Sequence, residues 1–365
     1  MNTFAVFGPV LLMWSFHFKT SWSNVTTEYD PPDYSPVSVD YGLFDVQCDK
    51  LSNRNFRSWF LPMVYSITFF LAMVGNFLVI LTYAYFNRIK TMTDIFLLNL
   101  AVADLLFALS LPFWVASFFA TWQMGLILCK AMHTIYKVSF FSGMLLLTCI
   151  SVDRFFSITK AVAAHRYRSS AVCYGHVSSV VVWAMATLFS LPEIIYSHIN
   201  GNQTCVAYSS GQEHLRVSVQ VSQMVLGFAL PALVMVFCYS CIFRTLMQAR
   251  SFERNKALKV IFAVVVVFVA SQLPYNVVMG LSTPSTTNCE YDNSLLYAMD
   301  VSRSLAFLRC CVNPFLYAFV GVKFRRDLLK LMKDLGCISK TCIVYSRGKR
   351  RSSTGLDTDT TSFSP

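Results

Sequence analysis

Seven segments of this chain are long and apolar enough to cross a lipid bilayer, and that repetition constrains the fold more than any single motif. They cover residues 59–86, 95–120, 131–157, 172–196, 217–247, 257–281 and 295–320. A hydrocarbon core of about 30 Å needs about 20 residues of helix, and every segment exceeds that length. Inside a bilayer each backbone N–H and C=O must be satisfied within the protein, which leaves helices or a closed barrel. Barrel strands need only about 10 residues, so spans of this length are helical. Only 13% of the residues are charged and 55% are hydrophobic, too little charge for a soluble protein of 365 residues. The expected fold is an all-α membrane protein, a seven-transmembrane helix bundle.

Residues 4–18 form a shorter apolar run, and Ser21-Trp22-Ser23 is a small-x-small triplet suited to signal peptidase. Residues 1–23 therefore read as a cleaved signal peptide. That places the mature N-terminus outside and, after seven crossings, the C-terminus in the cytoplasm. The charges give the same orientation independently. Arg88, Lys90, Lys160, Arg166, Arg168, Arg250, Arg254, Lys256 and Lys259 fall in the inner loops, and residues 323–351 are basic. The formal net charge of +11 thus reflects a positive-inside bias, not nucleic-acid binding. The expected organisation is an extracellular tail over 24–58, the bundle over 59–320, an amphipathic membrane-surface helix over 321–336 and a cytoplasmic tail over 337–365.

The extracellular tail carries Glu28, Asp30, Asp33, Asp40, Asp45 and Asp49, and no Lys or Arg precedes Lys50 in it. Pro31-Pro32 and Pro36 deny it regular structure. Tyr29, Tyr34 and Tyr41 lie beside or near these acids, the setting in which tyrosine sulfation occurs, and the partner of such a polyanion is a basic protein ligand. Asn24-Val25-Thr26 and Asn202-Gln203-Thr204 are glycosylation sequons on the same side of the membrane.

Twelve cysteines divide by location. Cys149, Cys173, Cys238, Cys241, Cys310 and Cys311 fall within spans, where a thiol is a small packing group. Cys48, Cys129, Cys205 and Cys289 fall on the extracellular side, an oxidising setting in which four thiols form two bridges, with three connectivities open. Pairing Cys129 with Cys205 and Cys48 with Cys289 would close a ring of helix ends around a pocket mouth.

From Cys129 to Arg154 a helix is about 37 Å long, so it crosses the bilayer with a thiol at one mouth and Asp153-Arg154-Phe155 at the other. An acid and a base adjoining at a membrane boundary suggest a proton- or partner-sensitive switch. Deeper in the membrane stand Asp104, Asn76 and Asn313-Pro314, a buried carboxylate with amide neighbours suited to sodium, a proton or a water-filled hydrogen-bond network. Pro112, Pro231, Pro274 and Pro314 each remove an intrahelical bond and offer a kink.

Tyr65, Trp114, Tyr136, Gln272 and Arg303 lie toward the outer mouth, an aromatic set with a few polar groups, as in a ligand pocket. The third span has no acid above Asp153 to serve a small amine. The seventh has no lysine for a retinal Schiff base. No catalytic constellation, metal motif or P-loop is present, and no repeat between the two halves supports a transporter. At the inner face Phe324, Leu328, Leu331, Met332 and Leu335 recur at helical spacing among basic residues, so this helix is expected to lie on membrane lipid. Cys337 and Cys342 are candidate palmitoylation sites. Ser352, Ser353, Thr354, Thr358, Thr360, Thr361, Ser362 and Ser364 are candidate phosphorylation sites.

Gly75-Asn76, Leu100-Ala101-Val102-Ala103-Asp104, Cys129, Asp153-Arg154, Trp183, Pro231 with Tyr239, Pro274 and Asn313-Pro314-x-x-Tyr317 occur in that order. Together they resemble a rhodopsin-like G protein-coupled receptor across essentially the whole mature chain. Ser110-Leu111-Pro112-Phe113-Trp114, Gln272-Leu273-Pro274-Tyr275-Asn276, Arg309-Cys310-Cys311 and the second pair of outer cysteines resemble a C-C chemokine receptor. The resemblance implies that the acidic tail holds a basic C-C chemokine, of the homeostatic lymphoid kind, while the chemokine N-terminus enters the helical pocket. It further implies that Arg154 meets an inhibitory-type heterotrimeric G protein as Tyr239 and Tyr317 rearrange, and that receptor kinases and arrestin act on the tail. Leukocyte migration would be the output. The alternative within the family is a scavenger that internalises chemokine without G-protein output.

Three positions depart from the family pattern. Phe155 follows Asp153-Arg154 where tyrosine is usual. Arg303 stands where many chemokine receptors carry glutamate, so the pocket floor is less anionic. Gly143 replaces a common serine, and Arg309 is expected to approach Asp104 as its counterion in place of sodium.

Overall fold

The computed structural model describes residues 51–86, 89, 91–159, 170–209, 211–248, 253–282, 289–320 and 322–334. Within these it gives the backbone alone at 51, 246, 248, 253–265, 289–290, 292, 316–320 and 322–325. The acidic tail with Asn24, Tyr29, Tyr34, Tyr41 and Cys48, the candidate sites Cys337 and Cys342, and the serine- and threonine-rich tail all lie outside the described residues. So do the side chains of Cys289 and Tyr317.

The first four spans are α1 (Leu51–Tyr85), α2 (Met92–Phe119), α3 (Gly125–Thr159) and α4 (Ala171–Phe189). A short helix α5 (Leu191–Tyr196) and an antiparallel hairpin of β1 (His198–Ile199) with β2 (Cys205–Val206) follow. The fifth span joins α6 (Glu213–Met224), a π-helical turn over Val225–Ala229 and α7 (Leu230–Gln248). α8 (Glu253–Leu281) is the sixth, and α9 (Cys289–Phe307) with α10 (Arg309–Val320) is the seventh. α11 (Val322–Asp334) comes last.

Five of these spans are long and apolar enough to cross a membrane on described residues alone, and 266–281 adds a shorter apolar stretch of α8. The seventh span is the least apolar because it carries Asp300, Arg303 and Arg309 and is interrupted at Leu308. Phe70, Val74 and Phe77 of α1, Val177, Val180 and Val181 of α4, and Leu233, Val236 and Phe237 of α7 are exposed. In water such surfaces would be a liability, whereas against lipid they are the expected exterior.

The helix ends depart from the sequence expectation for local reasons. α1 begins eight residues before Trp59, inside the segment expected to be tail. The ring of Phe56 stacks on Phe60 at 4.6 Å and meets Tyr297 of α9 at 5.1 Å, so tertiary packing extends the helix. The fourth span breaks at Ser190, and Pro192 stands in the first turn of α5, where a missing N–H leaves no bond unmade. α2 is opened by a capping box: the Thr91 side chain accepts from the Asp94 N–H, and the Asp94 carboxylate accepts from the Thr91 N–H at 2.9 Å.

Proline placement explains the bond between the first and last spans. Pro314 has no N–H to give to the carbonyl of Cys310, four residues earlier. The Asn76 side chain donates to that carbonyl at 3.0 Å instead. A Cβ on Gly75 would lie 3.0 Å from the Pro314 ring, so the glycine admits the ring and the asparagine satisfies what the ring leaves bare. Along α11, Leu331 is buried while Arg326, Lys330 and Lys333 are exposed, and the Lys330 ammonium sits 5.4 Å from the Phe86 ring of the first span. This is the amphipathic helix read from the sequence.

Candidate functional site

At one end of the bundle, where α1 and α3 begin and α2 ends, Cys129 and Cys205 form a disulfide with Cα atoms 5.6 Å apart. It ties β2 to the first turns of α3. Trp122, 2% exposed, locks the same corner by donating its indole N–H to the Gly125 carbonyl at 3.0 Å and its backbone N–H to the Gln203 carbonyl at 2.7 Å. Gln203 takes a positive φ of 53° in the hairpin turn, and the neighbouring Asn202 is exposed, as a glycosylation acceptor must be.

Beneath this corner the expected pocket residues converge. The Phe307 ring lies 5.3 Å from Tyr65, 5.7 Å from Tyr136 and 4.9 Å from Phe107. Trp114 joins this cluster to the disulfide corner, with its ring 4.8 Å from His133 and 6.4 Å from Trp122. Gln272 is buried and donates to the Ala306 carbonyl at 3.2 Å, which fixes the sixth span against the seventh. A cavity of about 20 Å³ lies among Tyr136, Gln272, Tyr275, Phe307 and Arg309. Arg303 is half-buried one turn from Phe307, with Tyr65, Tyr136, Tyr275 and Asp300 around its charge.

Midway down, Asp104 is 1% exposed. Its Oδ2 accepts from the Asn313 amide at 2.7 Å, and its Oδ1 lies 3.9 Å from the Arg309 guanidinium. Arg309 is itself 7% exposed, so the pair is shielded from screening. A Cβ on Gly143 would stand 3.0 Å from both terminal nitrogens of Arg309, so glycine gives the guanidinium its berth. The group expected beside Asp104 is therefore arginine. The Arg309 guanidinium stands on the Oδ1 side of the carboxylate, opposite the Asn313 amide on Oδ2.

At the opposite end, Asp153 accepts from the Thr93 hydroxyl of α2. Arg154 is exposed and acts electrostatically on Tyr239, while the Ser151 hydroxyl donates to the Tyr239 oxygen at 3.2 Å. Phe155 packs its ring 5.2 Å from Phe156 and 6.0 Å from Phe237 of α7. A single helix thus joins the disulfide corner to the Asp153-Arg154 pair.

The model of the family described as 7 transmembrane receptor (rhodopsin family) matches residues 75–317. The chain belongs to that family. It is 52% identical over 342 residues to C-C chemokine receptor type 7 of Homo sapiens, covering 90% of each chain. It is also 52% identical to C-C chemokine receptor type 7 of Mus musculus, with 90% of each chain covered. C-C chemokine receptor type 9 of Homo sapiens is 40% identical over 88% of this chain and 91% of its own. The chain is a chemokine receptor of the plasma membrane, multi-pass and not an enzyme.

Two polar groups in this receptor escaped the sequence reading. Lys137 of α3 donates to Gln223 of α6 at 2.5 Å and lies 3.3 Å from Glu193 of α5, which is fully buried. Tyr208 donates to the same carboxylate at 2.8 Å, and burial beside Glu193 pushes its phenol well above the usual range. Lys130 donates to the carbonyls of Ile194 and Ile195 at 3.0 and 2.9 Å. A lysine inside an apolar span was the available signal for Lys137, whereas Lys130 falls one residue before that span.

Proposed function

We propose that this receptor signals for a basic C-C chemokine, of the homeostatic lymphoid kind that its resemblance to type 7 receptors suggests. Its acidic tail captures the chemokine body from the extracellular side, and the chemokine N-terminus enters the pocket of Tyr65, Trp114, Tyr136, Gln272 and Arg303. The cytoplasmic end then presents Arg154 to an inhibitory-type G protein. The observation that carries the reading is the continuity of α3 from the bridged Cys129 to an Asp153-Arg154 pair whose acid is held by Thr93. A pocket pinned at one end and a restrained switch at the other suit a receptor that converts ligand entry into inner-face motion. Phosphorylation of the tail by receptor kinases would add negative charge for arrestin.

The test is expression of the full chain with a panel of C-C chemokines. Pertussis-toxin-sensitive inhibition of cAMP and migration of expressing leukocytes are the expected results. Binding and uptake without either response would make it a scavenger instead.

We also propose that Arg309 is the permanent counterion of Asp104, and that the receptor binds no sodium there. Sodium and potassium chloride at equal ionic strength should then give the purified receptor the same melting temperature. A sodium-specific rise would overturn the assignment.

A further inference from the structure

The described pocket holds more positive charge than its own carboxylates answer. Asp300, Arg303 and Phe307 follow one another along α9 at intervals of three and four, which stacks them on one helix face. The contacts of Phe307 with Tyr65 and Tyr136 turn that face toward the aromatic cluster. Asp300 is the one carboxylate acting on Arg303 among the described residues, and it is 4% exposed. Yet that carboxylate is already engaged, 3.7 Å from Arg57 of α1. Among the described residues two guanidiniums share a single acid, and one positive charge is left over.

The other neighbours of Arg303 cannot absorb it. Tyr65, Tyr136 and Tyr275 bring phenol hydroxyls, hydrogen-bonding groups and not carboxylates. A guanidinium with phenol donors around it is a chemical match for a carboxylate, which it receives through two parallel N–H bonds. An amine in the same place would meet like charge.

We propose that Arg303, with Tyr65, Tyr136 and Tyr275, forms a carboxylate-accepting subsite, filled by an Asp or Glu side chain in the ligand segment that enters the pocket. The proposal rests on the chemokine reading above and specifies the chemistry of the ligand at that site. An acid held beside Arg303 also gives the ligand a polar anchor beyond its attraction to the tail.

The experiment begins with the chemokine that gives the strongest cAMP response in the panel, used as the probe. Silence from the whole panel would defeat the chemokine reading and is thereby told apart from failure of the subsite. Wild-type receptor, R303Q and R303E are each challenged with this chemokine and with a form whose N-terminal acids are changed to Lys. R303E should lose potency about ten- to a hundredfold toward the parent chemokine and recover much of it with the Lys form. Binding of the same chemokine lacking its N-terminal segment should stay constant across the three receptors, which separates this effect from misfolding. Equal potency at all three receptors would overturn the proposal, as would a strongest chemokine with no Asp or Glu in its N-terminal segment. A loss in R303Q that is reproduced in wild type by replacing chloride with gluconate, whatever the ligand charge, would assign the subsite to an inorganic anion and also overturn it.

Discussion

Two arginines on the seventh span, six residues apart, have opposite circumstances. Arg309 is buried against Asp104, and Gly143 leaves it room; its charge is answered inside the protein. Arg303 is half-buried among phenols, and the one carboxylate acting on it among the described residues is shared with Arg57. A charge in a membrane span is costly in either place, so each position must offer a return. For Arg309 the return is internal, because an ion pair and an amide network fill the middle of the bundle. For Arg303 it comes from outside, when a ligand brings the missing negative charge.

The largest expected effect falls on the inner pair. R309A strands a buried carboxylate and should cost about 3–5 kcal/mol, read as a steep drop in melting temperature and cell-surface yield. Adding D104N in the same chain should recover much of that loss. A double variant no better than R309A would show that the two groups are not coupled. N76A ranks next: it leaves the Cys310 carbonyl without the donor that Pro314 cannot supply, for about 1–3 kcal/mol by thermal unfolding. G143S should follow with a loss of about 1 kcal/mol, since its side chain must push the guanidinium aside by a few tenths of an ångström. R303Q should change the melting temperature least, within about 0.5 kcal/mol, while it weakens the ligand response. A collapse of the fold in R303Q would place both arginines in the same structural class and erase the contrast.

The inner arginine could be read from sequence and the network around Lys137 could not, for a physical reason. Asp104, Asn76 and Asn313 are rare polar groups in apolar surroundings, and such groups in a bundle interior find one another. Gly143 beside them signalled space for a larger partner, and Arg309 fills it. Partners of Lys137 come from α5 and α6, and their register depends on a helix break at Ser190 that the apolar pattern does not encode. Spans this uniformly apolar give little periodic signal about which face looks inward. The early start of α1 has the same origin: its first two turns are held by Tyr297 and Asp300, both on the last span. Cys48 and the side chain of Cys289 lie outside the described residues, so the pairing of these two rests on sequence alone.

The π-helical turn at Val225–Ala229 has a consequence for chain length. A π-helical turn accommodates one residue more than an α-helical turn, and each residue of an α-helix advances the face by about 100°. Everything from Leu230 onward is therefore set by that extra residue, including Tyr239 opposite Ser151 and Phe237 opposite Phe155. Deleting one residue from the turn would convert it to plain α-helix, leave the hydrophobic length almost unchanged and rotate the Tyr239 end of the span away from its partners on α3. In this stretch the number of residues, more than their identity, decides which side chains meet.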